Sequence, residues 1–261
     1  MDQKIIYYED ELNDEFSEAQ ITPKKIDGSY KYIHTGLIKK FTHIFWYRIV
    51  ACPIAFFYLR LKFRHRIYNK KVLKKYKKQG YFTFANHTHH LADALIPTMV
   101  SGMKDTYVIV HPNNVSIPYL GKVTPSLGAI PLPDDKDATR NFMDCVKKRI
   151  SQNKCVHIYP EAHIWPFYTK IRPFKSTSFR YAVDLKTPVF CFTNVYKKRR
   201  NPKKVKIATY VDGPFFADEN LSKSEQREQL RNLVYNKMDE RSKLNEVELI
   251  KYIKKEDALD D

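Results

Sequence analysis

The residues best suited to chemistry gather in Tyr81–Asp93, which reads YFTFANHTHHLAD. Three histidines and an aspartate stand where an apolar run stops and a second one begins. Imidazole is the side chain whose protonation changes near neutral pH, so His87 is a candidate general base. Asp93 would fix its tautomer and stabilise the imidazolium. The same donors offer a second chemistry, because His87, His89, His90 and Asp93 are ligand types suited to a metal-dependent hydrolase. No further set of Cys, His and Asp ligands with recognisable spacing stands elsewhere in the chain, so the expected metal complement is none.

Two elements must position these groups. Tyr81, Phe82, Thr83 and Phe84 are aromatic or β-branched and follow Gly80, the signature of a short buried strand. Leu91–Val100 is apolar at helical spacing. A strand end that meets a helix start is where α/β proteins hold their reactive loops. Asn86-His87, with Asp93 downstream, resembles the NH-x4-D motif of the glycerolipid acyltransferases, the lysophosphatidic-acid acyltransferase family. That motif places four residues between His and Asp and this chain has five. His89, four residues before Asp93, is therefore the reserve candidate.

A second group, Cys155–Lys175, ends a strand in Tyr159-Pro160-Glu161. The family's corresponding strand end reads F-P-E-G-T-R, whose Arg helps hold the acceptor's phosphate. Here Ala162, His163 and Ile164 replace Gly, Thr and Arg. Phe174-Lys175, Ser178-Phe179 and Thr187-Pro188-Val189 fall where the family has F-K-x-G-x-F and a late Pro-Val strand. Leu127–Pro131 stands at the place of the second motif, without its Arg. The resemblance covers about residues 81–195 and identifies a divergent branch of the family.

The resemblance implies acyl transfer from an acyl-CoA or acyl carrier protein thioester to a lysophospholipid, with 1-acylglycerol-3-phosphate as default acceptor and no cofactor. His87 and Asp93 are the expected catalytic pair. Asn86, Glu161, Arg172 and Lys175 are the expected substrate-binding residues. With the motif arginines absent, Lys170, Arg172 and Lys175 downstream of Glu161 and Arg140 after the second motif are the cations available to a phosphate, and Arg172 and Lys175 are preferred. Glu161 has three available roles: orienting the loop, binding an acceptor hydroxyl, or capping local backbone N–H groups. Trp165, Phe167 and Tyr168 either line an acyl channel or pack inside.

Charge and hydropathy supply the setting. The chain has 261 residues and a net charge of +17, which calls for an anionic partner. Residues 1–22 carry seven acids against Lys4 alone, whereas residues 23–80 carry sixteen Lys/Arg against Asp27 alone. Residues 37–68 are rich in aromatics and end in Arg60, Lys62, Arg64 and Arg66. That is the composition of a helix pair lying in a lipid interface. Its apolar run Ile49–Leu59 is shorter than the ~20 residues a bilayer crossing needs. Lys70–Lys78 reads as a lysine-dense helix. No nucleic-acid signature accompanies it, so lipid phosphate is preferred over nucleic acid. A non-enzymatic protein that docks on anionic lipid or nucleic acid is the rival class.

The remaining pattern alternates strands (107–110, 127–132, 155–159, 189–195, 205–211) with helices, including Asp137–Ile150. A capping box at Ser222–Glu225 opens a last helix through about Arg241. The expected fold is α/β, a mixed and largely parallel sheet flanked by helices, with an N-terminal amphipathic membrane-associating element. Four segments follow: a flexible acidic arm (1–36), a basic, aromatic-rich interfacial element (37–80), the α/β domain (81–244) and a charged, fraying tail (245–261). Cys52, Cys145, Cys155 and Cys191 form no CxxC and are expected as reduced thiols. With no charged-then-apolar leader, the expected location is the cytoplasmic face of a membrane, peripheral or monotopic.

Overall fold

A computed structural model describes residues 3–16, 21–202 and 204–256. Its central sheet has seven strands: β2 (Arg66–Tyr68), β3 (Tyr81–Ala85), β4 (Thr106–Val110), β5 (Ala129–Pro131), β6 (Cys155–Ile158), β7 (Val189–Lys197) and β8 (Lys206–Phe215). They lie in the order β2-β8-β7-β3-β6-β4-β5. The pairs from β7 to β5 are parallel, β7 and β8 are antiparallel, and β2 runs parallel to β8. The mixed, mostly parallel sheet is the one the alternating pattern predicts. β3 lies at its centre, buried at every position, because only apolar and small hydroxyl side chains are available to both faces.

Three long helices flank the sheet: α1 (Leu37–Phe63), α2 (His90–Ser101) and α3 (Lys136–Ser151). A fourth, α4 (Lys223–Ser242), opens on the expected capping box, with the Ser222 side chain on the Glu225 N–H and the Glu225 carboxylate on the Ser222 N–H. One core layer packs Phe82, Phe84, Phe142, Val146 and Phe179; the other packs Leu59, Phe63, Ala92, Ile96, Phe190 and Phe192. Gly80 admits α3 against the start of β3, because a Cβ there would meet the Ile150 carbonyl oxygen at 2.3 Å.

The sequence predicts a helix pair over residues 37–68; the structure has one helix, α1, of 27 residues. It widens into π-helical turns over Ile44–Ala51, just ahead of Pro53, whose missing N–H leaves a carbonyl one turn back without its donor. By length and composition α1 is apolar enough to cross a membrane. Its buried side is a single file of Tyr47, Ala55, Leu59 and Phe63. Leu37, Ile38, Phe41, Ile49, Phe57 and Leu61 stay exposed on the other.

The ends of the chain also depart from expectation. The arm contributes β1 (Lys4–Tyr8), paired in parallel with β9 (Ile250–Lys254) of the tail, so neither segment is a free coil there. Both strands carry apolar or aromatic residues among their charges, and one side of the pair is covered: Ile250 is buried and Ile6, Tyr8, Tyr252 and Ile253 are partly so, while Ile5 and Tyr7 stay exposed. The arm's Asp2 and Glu18, and the tail beyond Glu256, lie outside the described residues. The lysine-dense segment is a 3-10 helix over Lys70–Tyr76. The basic segment also supplies β2, so the sheet begins before residue 81. All four cysteines are free thiols.

Candidate active site

β3 ends at Ala85 and α2 begins at His90, and the four residues between them are pinned from several sides. Asn86 is buried and clamps β7: its Nδ2 donates to the Asn194 carbonyl (3.0 Å) and its Oδ1 accepts the Asn194 N–H (2.8 Å). The expectation of a substrate contact at Asn86 fails for this reason, since both ends of the amide are spent on backbone. Thr88 is held by Tyr196, whose hydroxyl donates to the Thr88 carbonyl (3.1 Å). The Trp165 and Phe167 N–H groups donate to the carbonyls of His87 (3.2 Å) and Thr88 (2.8 Å).

Within this frame, His87 Nδ1 lies 2.9 Å from Asp93 Oδ2. The five intervening residues are accommodated because Asp93 sits in the first turn of α2, with its carboxylate turned back over the helix start. Its Oδ2 also accepts the N–H groups of Thr88 (2.7 Å) and His89 (2.8 Å). A carboxylate at a helix N-terminus gains from the unpaired N–H groups and the helix dipole. Asp93 is 1% exposed and the His87 side chain 16%, so the acid is sealed while the imidazole reaches solvent. His87 Nε2 makes no hydrogen bond to the described residues and remains available to a ligand.

Tyr159, at the end of β6, lies flat on His87 with ring centroids 4.1 Å apart and planes 13° from parallel. Its hydroxyl donates to the Asp93 carbonyl at 2.6 Å. Sequence reasoning used Tyr159 only as a motif marker. The signal was its aromatic ring at a strand end beside the parallel β3, a position that faces the His87 loop.

His157 lies deeper on β6, its Nδ1 2.9 Å from Thr83 Oγ1. Burial, with the nearby charge of His87, pushes its pKa well below the usual imidazole value, so it is a neutral wall of the site.

Glu161 performs the backbone task among its three predicted alternatives. One carboxylate oxygen accepts the His87 N–H (2.9 Å) and the other accepts the Arg172 N–H (3.1 Å). Burial raises its pKa, opposed by the Arg172 guanidinium 3.5 Å away and by those two donors. Arg172 is itself completely buried. Its guanidinium donates to the carbonyls of Glu161, His163 and Glu11 and lies 4.9 Å from the Trp165 ring centroid. It is a strut between the Glu161 turn and the N-terminal arm, which corrects its expected role as a phosphate clamp. Lys175 is exposed, and its charge is felt by Asp10. It makes no hydrogen bond or ion pair among the described residues.

Trp165 and Tyr168 are buried with Tyr252 in an aromatic cluster, so packing accounts for both and neither lines a channel. Phe167 is half-buried against His89 and Tyr196. His89 is the N-cap of α2, its Nδ1 accepting the Ala92 N–H at 3.2 Å. Burial lowers its pKa, and its ring meets Phe63 edge-on. The reserve base is therefore committed to holding the helix. His90 is exposed at the helix start. Among the described residues, no three His, Cys, Asp or Glu side chains converge in a geometry that would hold a metal ion.

The arrangement can remove a proton from a hydroxyl brought to His87 Nε2 and hold the resulting charge against Asp93. The acyltransferase family model matches residues 64–194, which contain β3, the His87 loop, Asp93 and the Glu161 turn. Among solved structures, the chain is similar to the 1-acyl-sn-glycerophosphate (LPA) acyltransferase PlsC from Thermotoga maritima. The TM-score is 0.53 at 17% identity, over 78% of this chain and 79% of that one. No curated protein matches the chain in sequence.

Proposed function

Because the chain belongs to the acyltransferase family, we propose that it moves an acyl chain from an acyl-CoA or acyl carrier protein thioester to the hydroxyl of a lysoglycerolipid. The default acceptor is 1-acylglycerol-3-phosphate, giving phosphatidic acid, the acceptor class named for the similar PlsC. The observation that carries this reading is the 2.9 Å contact between His87 Nδ1 and Asp93 Oδ2, with Nε2 left open.

His87 Nε2 takes the proton of the acceptor hydroxyl as its oxygen attacks the thioester carbonyl carbon. The tetrahedral oxyanion collapses, the C–S bond breaks, and the thiolate leaves with the proton returned by the imidazolium. Asp93 is hydrogen-bonded to Nδ1–H throughout, so it fixes the tautomer and offsets the transient positive charge. No acyl-enzyme is required, because the thiolate is itself a good leaving group. The exposed apolar side of α1 supports docking on a bilayer as a peripheral or monotopic protein, and the four free thiols favour its cytoplasmic face.

The test follows thiol release from acyl thioesters in the presence of lysophosphatidate and other lysolipids. His87→Ala is expected to lower kcat by about 10²–10⁴-fold, the usual contribution of a general base. His89→Ala is expected to keep most of the rate and to lose about 1 kcal/mol of stability with its cap. Transfer abolished by His89→Ala but retained by His87→Ala would overturn the assignment of the base.

A further inference from the structure

A cleft of about 1300 Å³ lies at the opposite end of the sheet from His87. Its floor is Asp105 and Tyr107 at the start of β4 and Lys154 just ahead of β6. Its walls are the segment before α1, the first turns of α1 and the end of α3. Along β3 and its loop, the rise of a strand puts the cleft roughly 20 Å from His87, with the packed sheet between. A phosphate held there cannot belong to a hydroxyl being acylated at His87.

The lining contains ten Lys/Arg and a single acid, Asp105. That acid is already satisfied by Arg48 and by Lys154 at 2.6 Å. Among the described residues, the other eight Lys/Arg of the lining make no ion pair, and Lys24, Lys31, Lys39, Lys40 and Lys148 among them come from three elements to face one concavity. His34 in the same cleft is held below its ordinary pKa by burial and by the charges of Lys39, Arg149 and Lys31. An excess of one sign in a concave site is the electrostatic counterpart of a polyanion.

The rim says which one. Leu37, Ile38 and Phe41 are 85%, 80% and 68% exposed, on the same turns of α1 that carry Lys39 and Lys40. A nucleic acid would leave these side chains in water, whereas the acyl region of a bilayer covers them. We propose that the cleft is a second, non-catalytic site that takes the phosphate headgroup of an anionic phospholipid while the apolar rim enters the bilayer. The inference rests on the bilayer docking proposed for α1 and is independent of the acyl-transfer chemistry.

Co-sedimentation with vesicles of phosphatidylcholine, alone or mixed with phosphatidylserine, tests it on the full chain. Wild type is expected to bind both and to prefer the anionic vesicles. The triple variant Lys31→Glu, Lys39→Glu, Lys148→Glu is expected to lose at least about 100-fold in partition to the anionic vesicles, the usual worth of three cations near such a surface before the repulsion of the new carboxylates is added. Its binding to neutral vesicles should persist. A triple Lys→Gln variant at the same positions, with circular dichroism and a melting curve, separates loss of binding from loss of fold.

The control is Lys74→Glu, Lys75→Glu, Lys78→Glu, which changes net charge equally away from the cleft and should lose little. Equal losses in the two charge-reversed proteins, or none in the first, would overturn the site. So would saturable binding of inorganic pyrophosphate, or of single-stranded RNA, that the cleft variant loses while keeping its anionic vesicles. His87→Ala should bind vesicles as wild type does, so a failed transfer assay leaves the test intact. If wild type ignores both vesicles, the docking of α1 fails along with the headgroup site.

Discussion

The Tyr159 ring lies 4.1 Å from the His87 ring and nearly parallel to it, while its hydroxyl reaches the Asp93 carbonyl at 2.6 Å. One side chain thus touches both members of the proposed pair: it supports the imidazole from behind and ties the first turn of α2 to the end of β6. Tyr159 is a positioning residue. Tyr159→Phe keeps the stack and loses one hydrogen bond, so kcat is expected to fall no more than about tenfold, with KM unchanged. Tyr159→Ala releases the ring, and kcat is expected to fall by ~10²-fold. A purely structural Tyr159 would instead give equal rates for the two variants once both are folded.

Arg172 and Glu161 form a buried pair, 3.5 Å apart, whose other hydrogen bonds all go to backbone. Removing one partner leaves an uncompensated charge inside. Arg172→Ala is expected to cost about 3–5 kcal/mol in denaturant unfolding. Its KM for lysophosphatidate should remain that of wild type under conditions where it is folded. A large rise in KM for phosphate-bearing acceptors alone would restore Arg172 as a phosphate ligand.

Ala162 follows Glu161 with φ of 63°, in the left-handed region. The family's strand end has glycine at this place, and the backbone has kept the turn that glycine serves. The Cβ of Ala162 is exposed and contributes no packing. Ala162→Gly is therefore expected to stabilise the protein by about 1 kcal/mol, the strain of an L-residue in that region less glycine's added chain entropy. A melting temperature lowered by this change would contradict the strain argument.

His65 donates to or accepts from Thr209 Oγ1 at 2.8 Å, and burial drops its pKa from 6.5 to about 4. The unfolded chain then binds more protons than the native one between those values. Stability from this group is present above pH 6.5 and is lost as the pH falls toward 4. His65→Gln, which can retain the bond to Thr209, is expected to flatten the decline measured by denaturant titration across that window. An unchanged slope would show that His65 does not titrate with folding; His157, shifted the same way by burial, would then be the group to replace.

Much of the architecture was legible because it rests on local pattern. The buried β3, the amphipathic α3 and the capped α4 each follow from a period or a cap that neighbouring residues set. β1, β2 and β9 left no such trace. Each is short, charged and defined by its partner, so pairing rather than propensity makes it a strand.

In the site, the amino-acid order alone put His87 and Glu161 at strand ends and Asp93 at the start of the following helix, because motif and local pattern coincide there. Only the tertiary structure decided how they are used. The turn of α2 brings Asp93 back across five residues, β6 delivers Tyr159 beneath the imidazole, and the arm closes over Arg172. The last two of those contacts join segments far apart in the chain. A sequence records which groups are available, but their distances are set when the sheet orders its strands and the core excludes water.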